Sequence, residues 1–270
     1  MNNDPSFHLI SFRLRTKMSK KFQDNFSLQS KEYSFSRPTY PEELFKFLSE
    51  LTTDHQLAWD CATGNGQAAI ELCKYFDQVI ASDASTMQIQ HKFERNNILY
   101  KVFPAEKADI PNDSVDLITV AQGLHWFDFE LFYSEVRRIA KQGAIIAAWS
   151  YTMHKIIPEI DKISERLNFG GDILGDYWAK EIRYVKEDYK TIPFPFEEII
   201  TPKFSISTKW NLIQLLNYLE TWSAVQKYRL EKKIDPLDLI RNELEQYWKD
   251  ELDEKQVSWE INLKVAKIET

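Results

Sequence analysis

Residues 57–83 read LAWDCATGNGQAAIELCKYFDQVIASD, and they predict how the centre of the chain folds. The apolar residues LAW end in Asp60, and Gly64 and Gly66 follow shortly after. A helical segment then leads to a second apolar run, VIA, which ends in Asp83 after one serine. This order predicts a strand, a tight turn, a helix and a parallel strand.

The turn between the two strands is suited to a ligand. Glycine accepts positive φ and has no Cβ to keep a ligand away, and the helix predicted from Gln67 would direct free backbone N–H groups at it. Asp83 follows the glycines by about 20 residues and would hold a ribose diol at the tip of the second strand. The pattern indicates a nucleoside-cofactor site.

Asp60 bears on which cofactor binds. Gly64, Gly66 and Ala69 match G-x-G-x-x-G/A, so the glycines would also admit a dinucleotide. A carboxylate just before the turn would repel a pyrophosphate and attract an ammonium group. S-adenosylmethionine has an α-ammonium and no phosphate, and we expect it as the cofactor.

With these residues in place, the chain resembles the class I S-adenosylmethionine-dependent methyltransferases. The family motif D-x-G-x-G-x-G corresponds to DCATGNG at residues 60–66, where Ala62 replaces the first glycine and predicts a slightly different turn. The segments FSRPTYP, HWFD and TWSA are similar to the type 11 subgroup that includes trans-aconitate methyltransferases. From about residue 22 onward, the resemblance implies a Rossmann-like α/β fold with a seven-stranded, mostly parallel sheet, an antiparallel last strand and a helical cap.

Together, the pattern and the resemblance give a set of cofactor-binding residues. Met87 would cover one face of the adenine, although it could equally be a core residue. Ala105 and Glu106 would lie beside the adenine, although Glu106 could instead cap a turn. The full set is Asp60, Ala62, Gly64, Gly66, Asp83, Ala84, Met87, Ala105, Glu106 and Gln122.

A second functional centre is expected where the apolar strand at 115–121 ends in QGLHWFD. The carboxyl edge of a parallel sheet is where ligands bind, so His125 and Trp126 would face the methyl acceptor. Three further acceptor-site residues are expected, each with a structural alternative. Tyr33 and Trp222 could be core residues, Arg37 could form a surface ion pair, and His125 could itself be structural. The acceptor set is Tyr33, Arg37, His125, Trp126 and Trp222.

The two candidate catalytic residues correspond to two kinds of acceptor. A carboxylate acceptor is already ionised and needs a clamp, for which the forked guanidinium of Arg37 is suited. A phenol or an amine must lose a proton, and His125 is then the natural base.

Composition narrows the range of partners. The chain has 270 residues, of which 43% are hydrophobic. Its 34 basic and 41 acidic residues give a net charge of −7. This composition favours a small-molecule acceptor over nucleic acid or a membrane. Two cysteines and five scattered histidines predict no metal site and a reduced, cytoplasmic protein. A monomer and a homodimer both remain open.

The predicted organisation is a flexible tail at 1–21 followed by one domain at 22–270. Translation could begin at Met1 or Met18. A lid is expected at 22–41, and cap insertions at about 168–202 and 211–252. Helices are also expected at 84–95 and at 212–230.

Two other function classes remain at this level. An NAD-dependent oxidoreductase gains some support from Tyr151 and Lys155, a Y-x-x-x-K pair like that of short-chain dehydrogenases, although the pair straddles a strand end. A non-catalytic binding protein on the same fold is the third class, because fold alone does not prove turnover.

Overall fold

The computed structural model describes residues 37–168 and 173–269, and seven strands of this part form one sheet. The tail at 1–21, Met18, Tyr33 and most of the lid at 22–41 lie outside the described residues, so those predictions stay untested. The strands are β1 (Leu57–Cys61), β2 (Gln78–Asp83), β3 (Ile98–Val102), β4 (Val115–Ala121), β5 (Ala140–Tyr151), β6 (Phe204–Trp210) and β7 (Lys255–Lys267).

The order of the strands across the sheet is β3-β2-β1-β4-β5-β7-β6. Strands β1 to β5 pair in parallel, and β7 is antiparallel to both β5 and β6. The order reverses at β1, so β1 and β4 are adjacent at the switch point, where a ligand crevice is expected. The predicted mostly parallel sheet with an antiparallel last strand is confirmed.

Nine helices of the described residues flank the sheet. They are α1 (Glu42–Glu50), α2 (Ala69–Leu72), α3 (Thr86–Ile89), α4 (Phe129–Ile139), α5 (Pro158–Leu167), α6 (Arg183–Lys186), α7 (Leu212–Glu220), α8 (Ser223–Lys232) and α9 (Asp238–Trp248). No helix in the described ranges is both long and apolar enough to span a membrane.

Three helices differ from their sequence predictions. The helix expected from Gln67 begins at Ala69, and the one expected at 84–95 is the single turn α3. The helix expected at 212–230 is two helices, because the hydroxyl and the N–H of Thr221 both bond to the Tyr218 carbonyl and end α7. Trp222 is then extended and precedes α8. The break directs the Trp222 side chain toward the site described below.

Both faces of the sheet are covered. One face packs on α1, α5, α7 and α9 around the fully buried Trp149 and Trp259, and the other packs on α4 around Trp59. The indole N–H of Trp59 donates to Ser82 Oγ at 2.8 Å, which satisfies the one polar atom of that side chain. Two covered faces keep the central strands rigid, so their carboxyl ends hold fixed positions.

Ala62, which replaces the first glycine of the motif, adopts a left-handed conformation with φ of +57°. Its methyl group lies against Gly123: a Cβ built on Gly123 would approach the Ala62 Cβ to 2.8 Å and Val120 Cγ1 to 3.3 Å. Gly123 has an ordinary φ of −118°, so space alone requires glycine there. The alanine after β1 therefore requires the glycine after β4.

We predict that Gly123→Ala lowers the free energy of unfolding by about 1–3 kcal/mol, because the new methyl group overpacks against Ala62. Ala62→Gly alone should be neutral or stabilising, since it relieves a left-handed alanine that costs about 1 kcal/mol. In the double variant, Gly123→Ala should cost much less. Urea unfolding of the four proteins measures the coupling. An equal loss in both backgrounds would show that the two residues do not interact.

Candidate functional site

The carboxyl ends of β1, β2 and β4 bring the predicted functional residues to one edge of the sheet. In the strand register, Asp60 lies beside Ala81 of β2 on one side and Thr119 of β4 on the other. Asp83 ends β2, and Gln122 follows β4 directly. The two centres expected from the sequence thus form one continuous edge.

Asp60 is a fully buried carboxylate at the centre of this edge. Its Oδ2 accepts the Thr63 hydroxyl at 2.5 Å and its Oδ1 accepts the Thr119 hydroxyl at 2.9 Å. Burial raises the pKa of Asp60 to about 6, against the opposing effect of these hydrogen bonds, and the nearby Asp83 charge adds to the increase. The carboxyl group is still mostly ionised at neutral pH.

No lysine or arginine of the described residues forms an ion pair with Asp60 or contributes to its pKa. Buried charges in proteins are normally paired, because desolvation of an isolated ion is costly. A ligand that brings a cationic group to this edge would supply the missing countercharge. The α-ammonium of S-adenosylmethionine fits this requirement.

The two glycines of the turn have different roles. Gly64 has a φ of +58°, and a Cβ there would meet only Gln88 Oε1, at 3.9 Å, so the turn is open at this residue. Gly66 has a φ of +91°, and a Cβ there would lie 2.1 Å from the Tyr100 hydroxyl. The expectation that glycine clears space for a ligand stays a prediction at Gly64, whereas Gly66 makes room for Tyr100.

Backbone N–H groups of the turn are largely bound within the protein. Thr63 N donates to Ser82 O at 2.9 Å, and Gly66 N donates to Thr63 O at 2.9 Å. Gly64 N donates to Asp83 Oδ2 at 3.1 Å. These three N–H groups are therefore not available to a pyrophosphate. The expectation of free N–H groups concerned the helix start from Gln67, and it stays a prediction there.

Asp83 connects β2 to the turn. While Oδ2 accepts Gly64 N, its Oδ1 accepts Ser85 N at 2.9 Å. Each carboxylate oxygen has a second lone pair, so Asp83 can also accept the hydroxyls of a ribose. Ala84, the next residue of the predicted cofactor set, is half-buried beside it.

Asn65 was missed by the sequence analysis. Its side-chain nitrogen is buried and has no hydrogen-bond partner among the described residues. A buried donor within the turn is suited to the carboxylate of S-adenosylmethionine, which makes it part of the candidate cofactor site. The available signal was a polar residue placed between two glycines.

The residues expected beside the adenine differ in their exposure and contacts. Met87 is 37% exposed on α3, so the alternative that it is a core residue is not observed. Ala105 is buried, and Glu106 Oε1 accepts the backbone N–H of Asp128 at 2.9 Å. Glu106 therefore caps the start of α4, as its structural alternative proposed, and one carboxylate oxygen is engaged there.

Beside Gln122, the cap encloses a cavity of about 80 Å³. Of the described residues that line it, Arg37 is the one with a permanent charge, and none is acidic. Of the predicted acceptor residues, Arg37, His125, Trp126 and Trp222 all line this cavity. The other lining residues are Tyr151, Thr152, Asn168, Trp178, Ile182, Val185, Tyr218 and Ser223.

Arg37 reaches the cavity from the residue that opens the described part of the chain. Its Nη1 lies 3.4 Å from the Tyr151 hydroxyl, and its Nη2 lies 3.5 Å from the Thr221 carbonyl. The guanidinium carbon is 5.2 Å from the centre of the Tyr218 ring. These contacts hold the guanidinium beside the cavity that Arg37 lines.

His125 is 3% exposed in the 3-10 turn Leu124–Trp126. Its Nδ1 lies 2.9 Å from the Tyr189 hydroxyl, and its ring packs at a tilt against Trp126. Burial lowers the pKa of His125 to about 3, so the ring is neutral at physiological pH. A histidine with so low a pKa is a weak proton acceptor.

The side chains of Tyr151 and Lys155 lie in different parts of the structure. Tyr151 lines the cavity, whereas Lys155 is half-exposed and pairs with Glu165 at 3.2 Å. The Y-x-x-x-K spacing does not produce a dehydrogenase-like pair here. Within residues 37–168 and 173–269, the histidine, cysteine and acidic side chains form no cluster suited to a metal ion.

Several cavity residues gave no sequence signal. Tyr218 and Trp178 belong to helical or irregular cap segments, where aromatic residues usually indicate core packing. Asn168 ends α5, and its Oδ1 is buried without a hydrogen-bond partner in the described structure. Tyr151 could have been found, since it ends the strand next to β4 and its side chain would lie near the same edge.

Comparisons with known proteins show methyltransferases as relatives of this chain. A family model described as a methyltransferase domain matches residues 59–148. A Dictyostelium discoideum protein named as a methyltransferase is 34% identical over 226 residues, which cover 83% of this chain and 86% of the other. A solved structure from Anaeromyxobacter dehalogenans, named as a type II methyltransferase, is 37% identical with a TM-score of 0.80 and covers 86% of this chain and 98% of the other.

A more distant relative names the cofactor. A Saccharomyces cerevisiae protein named as an S-adenosylmethionine-dependent methyltransferase is 26% identical over 186 residues, 64% of this chain and 63% of that protein. The cofactor in that name has an ammonium group, which would supply the countercharge that Asp60 lacks among the described residues.

We predict that Asp60→Asn stabilises the ligand-free protein and weakens cofactor binding. The folded-state pKa lies above the ordinary value of 3.8, so the buried charge destabilises the fold above about pH 6, and this effect disappears as the pH falls toward 3.8. A shift of about two units corresponds to a gain of up to about 3 kcal/mol at pH 7. Affinity for S-adenosylhomocysteine, which has the same ammonium, should fall about 10- to 100-fold.

Asp116→Asn is the matched control for a buried carboxylate. Asp116 lies near the opposite end of β4, pairs with Lys141 at 2.6 Å and accepts the N–H groups of Gln56 and Leu57. Its replacement should destabilise the protein and leave cofactor affinity unchanged. Thermal melts from pH 4 to 8 and calorimetry measure both quantities. Unchanged affinity in Asp60→Asn would rule out a role in binding the ammonium.

Proposed function

The chain belongs to the class I S-adenosylmethionine-dependent methyltransferases, and we propose that it transfers the methyl group to the carboxylate of a small organic acid. S-adenosylmethionine supplies the reaction with an electrophilic methyl group on a sulfonium. The residues of the chain must bind the acceptor, orient it and keep water away. The resemblance to trans-aconitate methyltransferases in the segments FSRPTYP, HWFD and TWSA points to the same class of acceptor.

The charge of the cavity carries this proposal. The described lining residues of the cavity include the Arg37 guanidinium and no carboxylate. The cavity therefore attracts an anion, and none of these residues repels it. A guanidinium binds a carboxylate through two parallel hydrogen bonds, which also fix its orientation. A carboxylate is ionised at neutral pH and needs no base.

The properties of His125 favour the same acceptor. A phenol or an amine would have to give up its proton to a nearby base, and burial makes His125 a poor one. The described cavity lining includes no aspartate or glutamate that could replace it. An acceptor that arrives already deprotonated avoids this difficulty.

The remaining lining residues support alignment of the acceptor. Trp126, Trp178 and Trp222 form apolar walls that exclude water from the nucleophile, and alignment of the reacting atoms can remove much of the barrier. Gln122 Nε2 donates to the Tyr151 carbonyl at 3.0 Å, which connects the ends of β4 and β5 beneath the acceptor. Asn168 Oδ1 would accept a hydrogen bond from a hydroxyl or a protonated carboxyl elsewhere on the acid.

The size of the cavity indicates a small acceptor. Its volume of about 80 Å³ is well below the roughly 300–1,000 Å³ of sites for drug-sized ligands. Trp178 bounds it and also borders an open surface groove of about 650 Å³, which is lined by Tyr177, Leu230 and charged residues of α8. The Trp178 ring packs on Trp222 at 5.7 Å. We infer that this indole separates the cavity from the groove and limits the length of the acceptor.

A methylation screen tests the proposed acceptor. We expect transfer from labelled S-adenosylmethionine to small carboxylic acids, with base-labile ester products, and none to their amides or to matched phenols and amines. Arg37→Gln should lower kcat/KM about 10- to 100-fold, because one charge-assisted pair is lost, and Arg37→Lys should lower it less.

The matched control for Arg37 is Arg137→Gln. Arg137 also lies over an aromatic ring, that of Phe196, at 4.9 Å, but it belongs to α4 and does not line the cavity. Its replacement should leave kcat/KM unchanged. Transfer to amines or phenols only, or full activity in Arg37→Gln, would overturn the carboxylate proposal.

Trp178 gives a separate prediction about acceptor length. Trp178→Ala should join the cavity to the groove, so kcat/KM for long-chain acids should rise about tenfold or more relative to short acids. Trp178→Phe keeps an aromatic wall and should retain the preference for short acids. A series of straight-chain acids measures the ratio. An equal loss for all chain lengths in Trp178→Ala would show that the indole only supports the fold.

A further inference from the structure

We propose that Tyr189 holds His125 as a neutral hydrogen-bond donor, so that His125 binds an oxygen of the acceptor and does not remove a proton from it. The role of His125 in catalysis, as inferred here, rests on the proposed carboxylate acceptor. The hydrogen-bond arrangement that carries it is independent of the acceptor.

Tyr189 reaches His125 from the cap and is fully buried. It follows α6 and lies within a pair of consecutive left-handed residues, Asp188 with a φ of +55° and Tyr189 with a φ of +58°. Such a conformation costs about 1–2 kcal/mol for each non-glycine residue, and strained backbone is often found at functional sites.

Specific contacts hold this strained pair. Tyr189 N donates to the Tyr184 carbonyl at 2.8 Å, and Asp188 Oδ1 accepts Asn262 Nδ2 at 3.1 Å. The result is a phenol hydroxyl that lies 2.9 Å from His125 Nδ1. The cap therefore uses strained backbone to position one hydroxyl group.

The neighbours of the hydroxyl determine the direction of this hydrogen bond. Among the described residues, His125 Nδ1 is the one hydrogen-bond partner of the Tyr189 hydroxyl. If the buried hydroxyl only accepted from an Nδ1–H group, its own proton would have no acceptor, which costs free energy. His125 Nδ1 must then be the acceptor, and the ring proton is on Nε2.

The surroundings also keep the ring neutral. His125 is almost entirely buried, and Arg37, Tyr151 and Tyr218 are the titratable groups that share its described cavity lining. None of them carries a negative charge that would stabilise an imidazolium. The cap contributes Tyr189, which is a neutral phenol because burial raises its pKa far above neutrality.

The consequence is a cavity with two donors of different charge. Nδ1 faces Tyr189, so Nε2–H lies on the other side of the ring. That side is available to the cavity, in which Arg37 supplies the cation. Two oxygens of a carboxylate could be bound in this way, with no group positioned to take a proton. His125 would distinguish ionised acids from neutral acceptors.

Nuclear magnetic resonance of protein with ¹⁵N-labelled histidine tests the tautomer directly. We expect the His125 signals to show the Nε2–H tautomer between about pH 5 and pH 9 without titration. In Tyr189→Phe the Nδ1 partner is lost, so the spectrum should show a mixture or the Nδ1–H tautomer. A wild-type spectrum with Nδ1–H, or one that titrates near pH 6.5, would overturn the inference.

Tyr133→Phe is the matched control for loss of a buried hydroxyl. Tyr133 is buried on α4, and its hydroxyl donates to the Pro193 carbonyl at 2.5 Å without contacting His125. Tyr133→Phe should lower stability while the His125 tautomer stays Nε2–H. The same change of tautomer in both variants would show that Tyr189 has no specific role.

Kinetics with an accepted carboxylic acid test the role of the donor. His125→Gln places an amide N–H near the position of Nε2–H and should retain activity within about threefold, whereas His125→Leu should lose about tenfold or more in kcat/KM. Equal losses in both variants would overturn the donor role.

The tautomer and the acceptor can fail separately. If the spectra show Nε2–H and no carboxylic acid is methylated, the proposed function fails and the tautomer assignment stands. If carboxylic acids are methylated and the wild-type spectrum shows Nδ1–H, the function stands and the inference about Tyr189 fails.

Discussion

The candidate cofactor site is arranged around one buried charge, the carboxylate of Asp60 at the carboxyl end of the first strand. Both of its oxygens are bound by threonine hydroxyls, one from the turn and one from the adjacent strand, and the described residues supply no cation. Hydroxyls orient a carboxylate but do not neutralise it, so the unliganded site retains an electrostatic cost. A cationic ligand would relieve that cost, which would couple its binding to the central strand of the sheet.

The same edge uses part of its glycine turn for internal hydrogen bonds. A dinucleotide site leaves backbone N–H groups of the glycine turn available to the pyrophosphate. Here Thr63, Gly64 and Gly66 donate to Ser82, Asp83 and Thr63, respectively. These three N–H groups are therefore not available to a phosphate, and the Asp83 carboxylate binds one of them.

The acceptor side follows a different principle, because it is built from distant segments. Arg37 precedes α1, His125 and Gln122 follow β4, Tyr151 ends β5, and Trp222 separates α7 from α8. Their arrangement gives a cavity that has a fixed cation, aromatic walls and a neutral histidine. Tyr189, held by a strained turn, adds control over the histidine proton. The candidate cofactor residues are thus concentrated around the glycine turn and its flanking strands, whereas the cavity residues come from segments far apart in the sequence.

Local patterns in the sequence were sufficient to predict the strand–turn–helix–strand unit and a site at the carboxyl edge of the sheet. Both predictions rest on hydrophobic periodicity and turn chemistry, which act over a few residues. The sequence also assigned Arg37, His125, Trp126 and Trp222 to one site, and in the structure these four residues line one cavity. Only tertiary structure decided that Gly66 makes room for Tyr100, that Glu106 caps α4 and that Asn168 lines the cavity. These outcomes depend on neighbours far away in sequence. Such neighbours also raise the pKa of Asp60 by burying it and, through Tyr189, hold the ring of His125.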